Sequence, residues 1–301
     1  MNELIKEIKQ KKLGKIIENI SLKEYTSYKT GGICRLMVFP KDVKSLISLL
    51  KIIDNYKVKF KILGNGSNTL FSSKLYQGII IKLDNLNKIK LIGNQITVGS
   101  GYNLINLSLF AMKNSLSGLE FAAGIPGTVG GAVFMNAGAY KSDMGYIVKK
   151  VKVLTPNYKI IYLTNSDMNF HYRTSFLQEH KDYICLEALI KLKLGKKEEI
   201  SAIMRERKEK RIAAQPLEYP SCGSVFRNPE GLFAGKLIED LGFKGLYKGG
   251  AQISDKHANF IINKNNATSE DIKELIDFTK EAVLEKYNID LKVEQELVNW
   301  E

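Results

Sequence analysis

Cysteine and long hydrophobic runs are scarce in this 301-residue chain, and each scarcity excludes a class of protein. Three cysteines without a Cys-x-x-Cys pair indicate neither a disulfide framework nor a thiolate metal site. No apolar run reaches the roughly 18 residues that a membrane span requires. The Lys-rich N-terminus also lacks the apolar stretch and cleavage site of a secretory signal. We therefore expect a cytoplasmic protein without a membrane partner.

Metal-ligand motifs and arginine-rich blocks are missing as well. The sequence contains no His-x-x-His or His-Glu-x-x-His pattern, so we expect no metal site. Although the formal net charge is +13, the lysines are scattered, which is typical of solvated faces rather than of a nucleic-acid footprint. We therefore expect no nucleic-acid partner. Only six of the 45 basic residues are arginine: Arg35, Arg173, Arg205, Arg207, Arg211 and Arg227.

The hydrophobic periodicity predicts an α+β fold with many hairpins rather than a regular βαβ array. A composition change near Gly195 predicts two domains, residues 1–196 and residues 197–301. The main expected helices are 1–19, 43–55 after an Asp42 cap, 102–114, 198–214, and 269–287 after a Thr268 cap, with Leu284 facing inward. The main expected strands are 33–39, 60–63, the hairpin of 88–92 and 95–99, 148–154, and 291–298.

The first of two glycine-rich loops directly follows the predicted strand 60–63. Its glycines permit positive φ angles, which let consecutive amides face one anion. A Rossmann fold is disfavoured, because Thr69 stands where the Gly-x-Gly-x-x-Gly fingerprint needs its last glycine. The expected cofactor-binding residues of this loop are Gly64, Asn65, Gly66, Ser67 and Asn68.

The second loop is long, rich in small residues and nearly uncharged, which fits a backbone wrapped around an extended ligand. A helix that begins near Thr128 would direct its N-terminus toward a diphosphate. Two such loops without a Rossmann fingerprint predict bound FAD rather than NAD. The expected cofactor-binding residues here are Gly124, Ile125, Pro126, Gly127, Thr128, Gly130, Gly131, Ala132, Asn136, Ala137 and Gly138.

Arg173 and Ser224 are the candidate chemical residues. Arg173 follows Tyr172 in an aromatic segment, and a planar guanidinium held there suits bidentate binding of a carboxylate. Ser224 lies in a loop bounded by prolines. A nucleophilic serine needs a base, and no His/Asp pairing is evident, so a positioned acid fits Ser224 better. The neighbouring Cys222 is expected to be a buried, inert thiol.

The predicted terminal strand 291–298 carries two acidic candidates. Strand alternation puts Glu294 and Glu296 on one face, together with Lys292. Periodicity does not choose between the two glutamates, so both remain candidates at this point.

From about Tyr25 onward, these blocks in this order resemble the UDP-N-acetylenolpyruvoylglucosamine reductase family, in its shorter form. The resemblance implies a vanillyl-alcohol-oxidase/PCMH-type FAD-binding domain followed by an α+β substrate-binding domain. The matching blocks are residues 28–32, the two glycine-rich loops, 172–175, 220–229, 234–239, 249–252 and 257–263.

The resemblance also implies an activity. NADPH would reduce UDP-N-acetyl-3-O-(1-carboxyvinyl)-glucosamine to UDP-N-acetylmuramate, in peptidoglycan precursor synthesis, through bound FAD. A hydride from flavin N5 would reach C3 of the enolpyruvyl group, and Ser224 would protonate C2. Arg173 and Glu294 would stabilise the enolate, with Glu296 as the alternative because Asn299 and Trp300 replace the family's usual hydrophobic–Gly pair.

The remaining expectations concern the substrate and the assembly. We expect a monomer that binds the UDP-sugar and NADPH. The expected substrate contacts are Tyr172, Arg227, Asn228 and His257, with Arg205, Arg207 or Arg211 near the diphosphate. Two other functions compete: an FAD-dependent oxidase or dehydrogenase of the same fold that acts on an alcohol or aldehyde, and a basic nucleotide- or nucleic-acid-binding protein.

Overall fold

The computed structural model describes residues 1–300. The helices are α1 (Asn2–Gln10), α2 (Val43–Asn55), α3 (Leu104–Lys113), α4 (Val129–Phe134), α5 (Met144–Ile147), α6 (Phe176–Glu179), α7 (Lys197–Ala214), α8 (Ala234–Asp240) and α9 (Ser269–Tyr287). The strands are β1 (Gly14–Ser21), β2 (Ile33–Pro40), β3 (Phe60–Ile62), β4 (Thr69–Phe71), β5 (Tyr76–Ile81), β6 (Ile89–Ile92), β7 (Gln95–Gly99), β8 (Leu116–Ser117), β9 (Gly138–Ala139), β10 (Ser142–Asp143), β11 (Val148–Leu154), β12 (Ile160–Thr164), β13 (Ile184–Lys191), β14 (Lys193–Leu194), β15 (Tyr247–Lys248), β16 (Ala251–Ile253), β17 (Ile261–Asn263) and β18 (Glu296–Val298).

The sheets confirm the predicted α+β class. A four-stranded sheet has the order β1-β2-β5-β3, and a five-stranded sheet has the order β12-β11-β13-β7-β6. In the five-stranded sheet every pairing is antiparallel, as expected of a hairpin-rich chain. The predicted hairpin of β6 and β7 is present, and its turn contains Gly93 with a φ of +57°.

The chain divides into two compact units, each described by itself. The first unit comprises residues 1–18, 36–64 and 77–208, and the second comprises 19–35, 65–76 and 209–301. Two clusters of buried apolar side chains form the core of the first unit, and one cluster forms that of the second. The second unit thus takes two short segments from early in the chain. The predicted domain boundary after residue 196 stays a prediction.

Local capping signals explain where two of the longer helices begin. The side chain of Asp42 accepts a hydrogen bond from the Ser45 amide (2.8 Å) at the start of α2, as predicted. Thr268 forms a reciprocal capping box with Asp271 at the start of α9, which confirms the predicted cap. One inward-facing prediction for α9 is wrong, because the Leu284 side chain is 44% exposed.

Two other predictions fail because long-range contacts override local periodicity. The predicted helix 1–19 ends at Gln10, and Lys12 adopts a left-handed φ of +48° before β1 begins. There the Lys41 amide donates to the Leu13 carbonyl (3.0 Å), which draws the chain toward the sheet. The predicted strand 291–298 is also too long, since only β18 is regular and residue 293 forms a single bridge to residue 226.

Candidate active site

The start of α4 lies in the second glycine-rich loop, as predicted. Thr128 caps this helix by accepting a hydrogen bond from the Gly131 amide (3.2 Å). The next two donors are also engaged, since the Val129 amide donates to Tyr102 O (2.9 Å) and the Gly130 amide to Ser100 O (2.8 Å). A diphosphate at this helix start would therefore compete with three protein acceptors, which the sequence did not indicate.

The glycines of the first unit differ in what a side chain would meet. A Cβ at Gly64 would lie 2.7 Å from Thr128 Oγ1, so the first residue of the first glycine-rich loop packs against the start of α4. A Cβ at Gly130 would come within 2.9 Å of Ser100 Cβ. At Gly127 and Gly131, by contrast, no neighbour lies closer than 4.0 Å and 3.4 Å respectively. A Cβ at either of these two glycines would make only ordinary van der Waals contact, with Ile125 or Thr128.

Several other predicted cofactor-binding residues of the second glycine-rich loop belong to helices or strands of the first unit. A Cβ at Gly138 would collide with Ser142 and Asp143, because the strands β9 and β10 meet there. Ala132 is buried within α4, and Gly124 ends a short 3-10 helix. Ile125, Ala137 and Pro126 remain at least partly exposed.

In the second unit, the first glycine-rich loop is bound through its carbonyl oxygens. The Ser27 amide donates to Gly66 O (3.1 Å), and the Glu296 amide donates to Asn68 O (2.9 Å). Gly66 has a φ of +61°, and a Cβ there would collide with the carbonyl oxygen of Tyr25. The Asn68 amide group also donates to Glu294 O (3.1 Å), which ties this loop to the end of the chain. Ser67 lies between these two anchored positions, and Asn65 directly precedes Gly66.

Arg173 occupies a tight and strained turn in the first unit. His171 and Thr174 exchange two backbone hydrogen bonds of 3.1 Å, so Tyr172 and Arg173 form the tip. Arg173 has a φ of +56°, a left-handed conformation that costs a non-glycine residue roughly 1–2 kcal/mol. Its guanidinium lies 5.4 Å from the centre of the exposed Tyr172 ring. The aromatic neighbour expected from the sequence is thus in place.

Asn136 supports this turn rather than an open surface. Its side chain is buried, donates to His171 O (2.7 Å) and accepts from the Gly145 amide (2.9 Å). Both ends of the amide are therefore engaged by protein groups. The expected cofactor contact of Asn136 stays a prediction.

Ser224 lies in a loop that a buried asparagine holds in place. The side chain of Asn259 accepts from the Phe226 amide (2.9 Å) and donates to Phe226 O (2.8 Å), so both backbone groups of Phe226 are fixed. The carbonyl of Asn259 also accepts from the Val225 amide (2.9 Å). Sequence reasoning missed this role, although Asn259 lies in one of the blocks that carry the family resemblance.

The end of the chain runs beside the Ser224 loop. The Glu294 amide donates to Val225 O (2.8 Å), and the Arg227 amide donates to Lys292 O (2.9 Å). These bonds flank an antiparallel bridge between residues 226 and 293. Within the second unit, the structure therefore brings the backbones of Ser224 and Glu294 together.

Glu296 is directed elsewhere. It begins β18, which pairs in parallel with β4 so that Glu296 faces Thr69. Burial, with smaller contributions from Cys34 and Glu296, raises the pKa of Tyr76 to about 12. Glu296 is thus paired with β4, whereas the Glu294 backbone is paired with the Ser224 loop.

A series of hydrogen bonds between buried groups connects the segment around Gln295 to the first glycine-rich loop. The Tyr28 hydroxyl donates to the side chain of Gln295 (3.0 Å), which donates to Cys222 O (3.3 Å). The Cys222 thiol donates to Gly66 O (3.4 Å) and is itself buried. Burial raises the pKa of Cys222 to about 12. The predicted burial of Cys222 is confirmed, and Gln295 is a structural residue that alternation did not reveal.

The predicted substrate-binding residues of the second unit also make hydrogen bonds within the protein. The side-chain oxygen of Asn228 accepts from the Ala234 amide (3.1 Å) at the start of α8. His257 Nδ1 accepts from the Asn259 amide (3.2 Å), so the proton of the neutral ring lies on Nε2. Burial lowers the pKa of His257, which favours this neutral form. The backbone of Arg227 is fixed by Lys292, as described above.

The three arginines proposed for the diphosphate lie on α7. Among them, Arg207 is tied to the second glycine-rich loop region within the first unit. Its guanidinium lies 4.9 Å from the centre of the Tyr140 ring, and the Tyr140 hydroxyl donates to Arg207 O (2.9 Å). Among residues 1–300, no helix is both long and apolar enough to cross a membrane, and no cluster of three or more His, Cys, Asp or Glu side chains could hold a metal ion.

Comparisons with known proteins show which family this chain belongs to. Residues 34–164 match the family described as FAD binding domain, and residues 215–298 match the family described as UDP-N-acetylenolpyruvoylglucosamine reductase, C-terminal domain. UDP-N-acetylenolpyruvoylglucosamine reductases of Anoxybacillus flavithermus and Bacillus subtilis are 44% and 43% identical to this chain over 299 residues. Each alignment covers 99% of this chain and 99% of the relative.

Solved structures extend the comparison to the fold. The crystal structure of the UDP-N-acetylenolpyruvylglucosamine reductase of Thermus caldophilus is 33% identical, covers 93% of this chain and 97% of its own, and superposes with a TM-score of 0.80. A glucose dehydrogenase, Phl p 4.0202, shares 15% identity and a TM-score of 0.50 over 64% of this chain, a likeness of fold alone. The expected PCMH-type FAD-binding fold is confirmed, and the chain belongs to the UDP-N-acetylenolpyruvoylglucosamine reductase family.

Proposed function

We propose that this chain uses NADPH to reduce UDP-N-acetyl-3-O-(1-carboxyvinyl)-glucosamine to UDP-N-acetylmuramate. The observation that carries the proposal is the backbone pairing of Glu294 with Val225, which sets an acidic residue beside the Ser224 loop. Family membership supplies the substrate class, because the relatives are named for this reduction. The substrate and NADPH are both anionic metabolites of the cytoplasm, where we propose that the enzyme works as a monomer.

The two glycine-rich loops would contact FAD in different ways. Gly127 and Gly131 leave space that a Cβ would fill, which fits a backbone surface against a planar or extended ligand. In the first glycine-rich loop, the carbonyl oxygens of Gly66 and Asn68 accept hydrogen bonds from backbone amides elsewhere in the second unit. This supports an arrangement in which the amides of the loop point in the opposite direction, as in an anion-binding loop. Bound FAD supplies the hydride carrier that links NADPH to the enolpyruvyl group.

The proposed task of Arg173 is to stabilise negative charge. Hydride addition at C3 of the enolpyruvyl group builds charge on C2 and on the carboxylate. A guanidinium held in a fixed turn can meet that charge without reorganisation, and loss of one such donor typically costs about 3–4 kcal/mol. The left-handed φ of Arg173 supports this role, because strained residues persist where the surrounding structure over-determines them.

The proposed task of Ser224 is to protonate C2. A serine hydroxyl is a weak acid at neutral pH, so it can donate only to a strongly basic centre such as the developing carbanion. The backbone bonds of Val225 and Phe226 to Asn259 hold the loop while the proton moves. Arg227, three residues beyond Ser224, provides a positive charge that lowers the cost of the alkoxide.

The first test uses the purified holoprotein. Under anaerobic conditions we expect the visible absorbance of the bound flavin to bleach when NADPH is added. Fast oxygen consumption with an alcohol or aldehyde, and indifference to the UDP-sugar, would instead favour an oxidase. A colourless protein that binds DNA in a salt-dependent way would contradict any flavin function.

A glycine pair tests the proposed flavin surface. Gly131→Ala should leave the melting temperature of the apoprotein unchanged or higher, because alanine is roughly 1 kcal/mol better than glycine in a helix. The same change should weaken FAD binding, measured by fluorescence titration, because the new methyl group occupies space beside the bare backbone. Gly66→Ala is the contrast: it should lower the melting temperature, since its Cβ collides with Tyr25 O. If Gly131→Ala binds FAD as tightly as wild type, this surface does not contact the cofactor.

A glutamate pair tests the choice between the two acidic candidates. Glu294→Gln should slow reoxidation of the reduced flavin by the UDP-sugar roughly 10²-fold, as typical for loss of a group that acts in the transition state. Glu296→Gln should retain most of this rate, because Glu296 lies in β18 against Thr69. Stopped-flow absorbance measures both rates. The reverse order of effects would transfer the catalytic role to Glu296.

A further inference from the structure

The turn that carries Arg173 needs external support. A non-glycine residue at φ +56° is held against its own preference by roughly 1–2 kcal/mol. The two hydrogen bonds between His171 and Thr174 close the turn but do not attach it to the rest of the first unit. Whatever fixes its direction must therefore come from outside residues 171–174.

Gln178 provides such an attachment. It lies on α6, and its amide nitrogen donates to the carbonyl oxygen of Arg173 itself (2.7 Å). The same nitrogen donates to Phe134 O (3.1 Å), the carbonyl of the last residue of α4, and makes a longer contact with Met135 Sδ (3.6 Å). Because a side-chain NH₂ group has two hydrogens, one can serve each carbonyl. Gln178 thus joins the peptide of Arg173 to the end of α4.

Two neighbours fix the flanks of the same turn. The buried Ser175 hydroxyl donates to Phe134 O (2.7 Å), directly after the turn. Asn136 donates to His171 O (2.7 Å), at the first residue of the turn. Gln178 differs from both, because it alone of these three bonds the residue that carries the guanidinium.

We propose that Gln178 is a positioning residue for the reduction, acting through Arg173. By holding the Arg173 carbonyl, Gln178 fixes the peptide plane from which the strained side chain departs, and so aims the guanidinium at the substrate carboxylate. This inference rests on the proposed role of Arg173. It assigns Gln178 no contact with substrate or cofactor.

The test is a double-mutant cycle of Gln178→Leu and Arg173→Ala on the holoenzyme. Reduced enzyme is mixed with UDP-N-acetyl-3-O-(1-carboxyvinyl)-glucosamine, and flavin reoxidation is followed by stopped flow. We expect Gln178→Leu to slow this step roughly 10- to 100-fold, the range that a displacement of about 1 Å can cause. In the Arg173→Ala background the same change should cost nothing further. Flavin reduction by NADPH should keep its wild-type rate throughout.

Controls separate positioning from folding. Glu179→Gln changes the next, exposed residue of α6 and should leave both half-reactions unchanged. Should Gln178→Leu unfold, Gln178→Met keeps the length of the side chain without its donor or any charge, and is expected to show the same pattern. Equal slowing in both backgrounds, or no slowing in the wild-type background, overturns the inference. If Arg173→Ala alone leaves reoxidation unchanged, the proposed role of Arg173 fails first, and that of Gln178 fails with it.

Discussion

Ser224→Ala is expected to slow reoxidation of the reduced flavin by the UDP-sugar by roughly 10²- to 10⁴-fold, the usual contribution of a general acid. Flavin reduction by NADPH should be unaffected, because it requires no proton at C2 of the sugar substituent. Two stopped-flow experiments, one for each half-reaction, measure the split. The expected asymmetry follows from the order of events, in which the proton moves only after the hydride arrives.

Ser221→Ala is the matched control, because it removes a hydroxyl from the same loop three residues earlier. We expect wild-type rates from it in both half-reactions. The Ser224 backbone is held by its neighbours through Asn259 and Glu294, so loss of its hydroxyl should not displace the loop. Equal slowing of the two half-reactions by Ser224→Ala would mean that the serine does not act as the proton donor.

Arg173→Ala should slow the same second step by roughly 10²- to 10³-fold, the cost of one preorganised donor to a developing oxyanion. Arg173→Lys should recover part of the rate, because it keeps the charge but loses the planar fork that binds a carboxylate at two points. Rates of reoxidation at saturating UDP-sugar measure the effect on the transition state.

Lys181→Ala removes an exposed positive charge a few residues away and should change neither half-reaction. This control separates a placed guanidinium from general attraction of an anionic substrate by a basic protein. If Arg173→Ala raised only the substrate concentration needed for half-maximal rate, Arg173 would bind the ground state and transition state equally, and the proposed role would be wrong.

Features that depend on a few adjacent residues could be predicted from the sequence. The Asp42 cap, the Thr268 capping box and the β6–β7 hairpin each arise from side chains or glycines within four positions of one another. The candidate residues Arg173 and Ser224 stood out because aromatic and proline neighbours mark ordered segments. Their chemical partners came from the family resemblance rather than from periodicity.

Features that depend on distant contacts could not be predicted. Alternation suggested a regular strand at residues 291–298, yet the buried Gln295 bonds Tyr28 and Cys222, more than 70 positions away in sequence. Segments 19–35 and 65–76 join the second unit for the same reason. Glycine content alone also did not separate Gly66, where a Cβ would collide with Tyr25, from Gly131, where a Cβ would make only ordinary contact with Thr128.

The central claim is that this chain passes a hydride to an enolpyruvyl sugar nucleotide and then protonates it at C2. The most direct test is an anaerobic single turnover in D₂O, in which NADPH-reduced holoenzyme is mixed with UDP-N-acetyl-3-O-(1-carboxyvinyl)-glucosamine. We predict that flavin absorbance returns in proportion to the substrate added and that the UDP-N-acetylmuramate formed carries deuterium at C2. Flavin that stays bleached until oxygen is admitted would contradict the account.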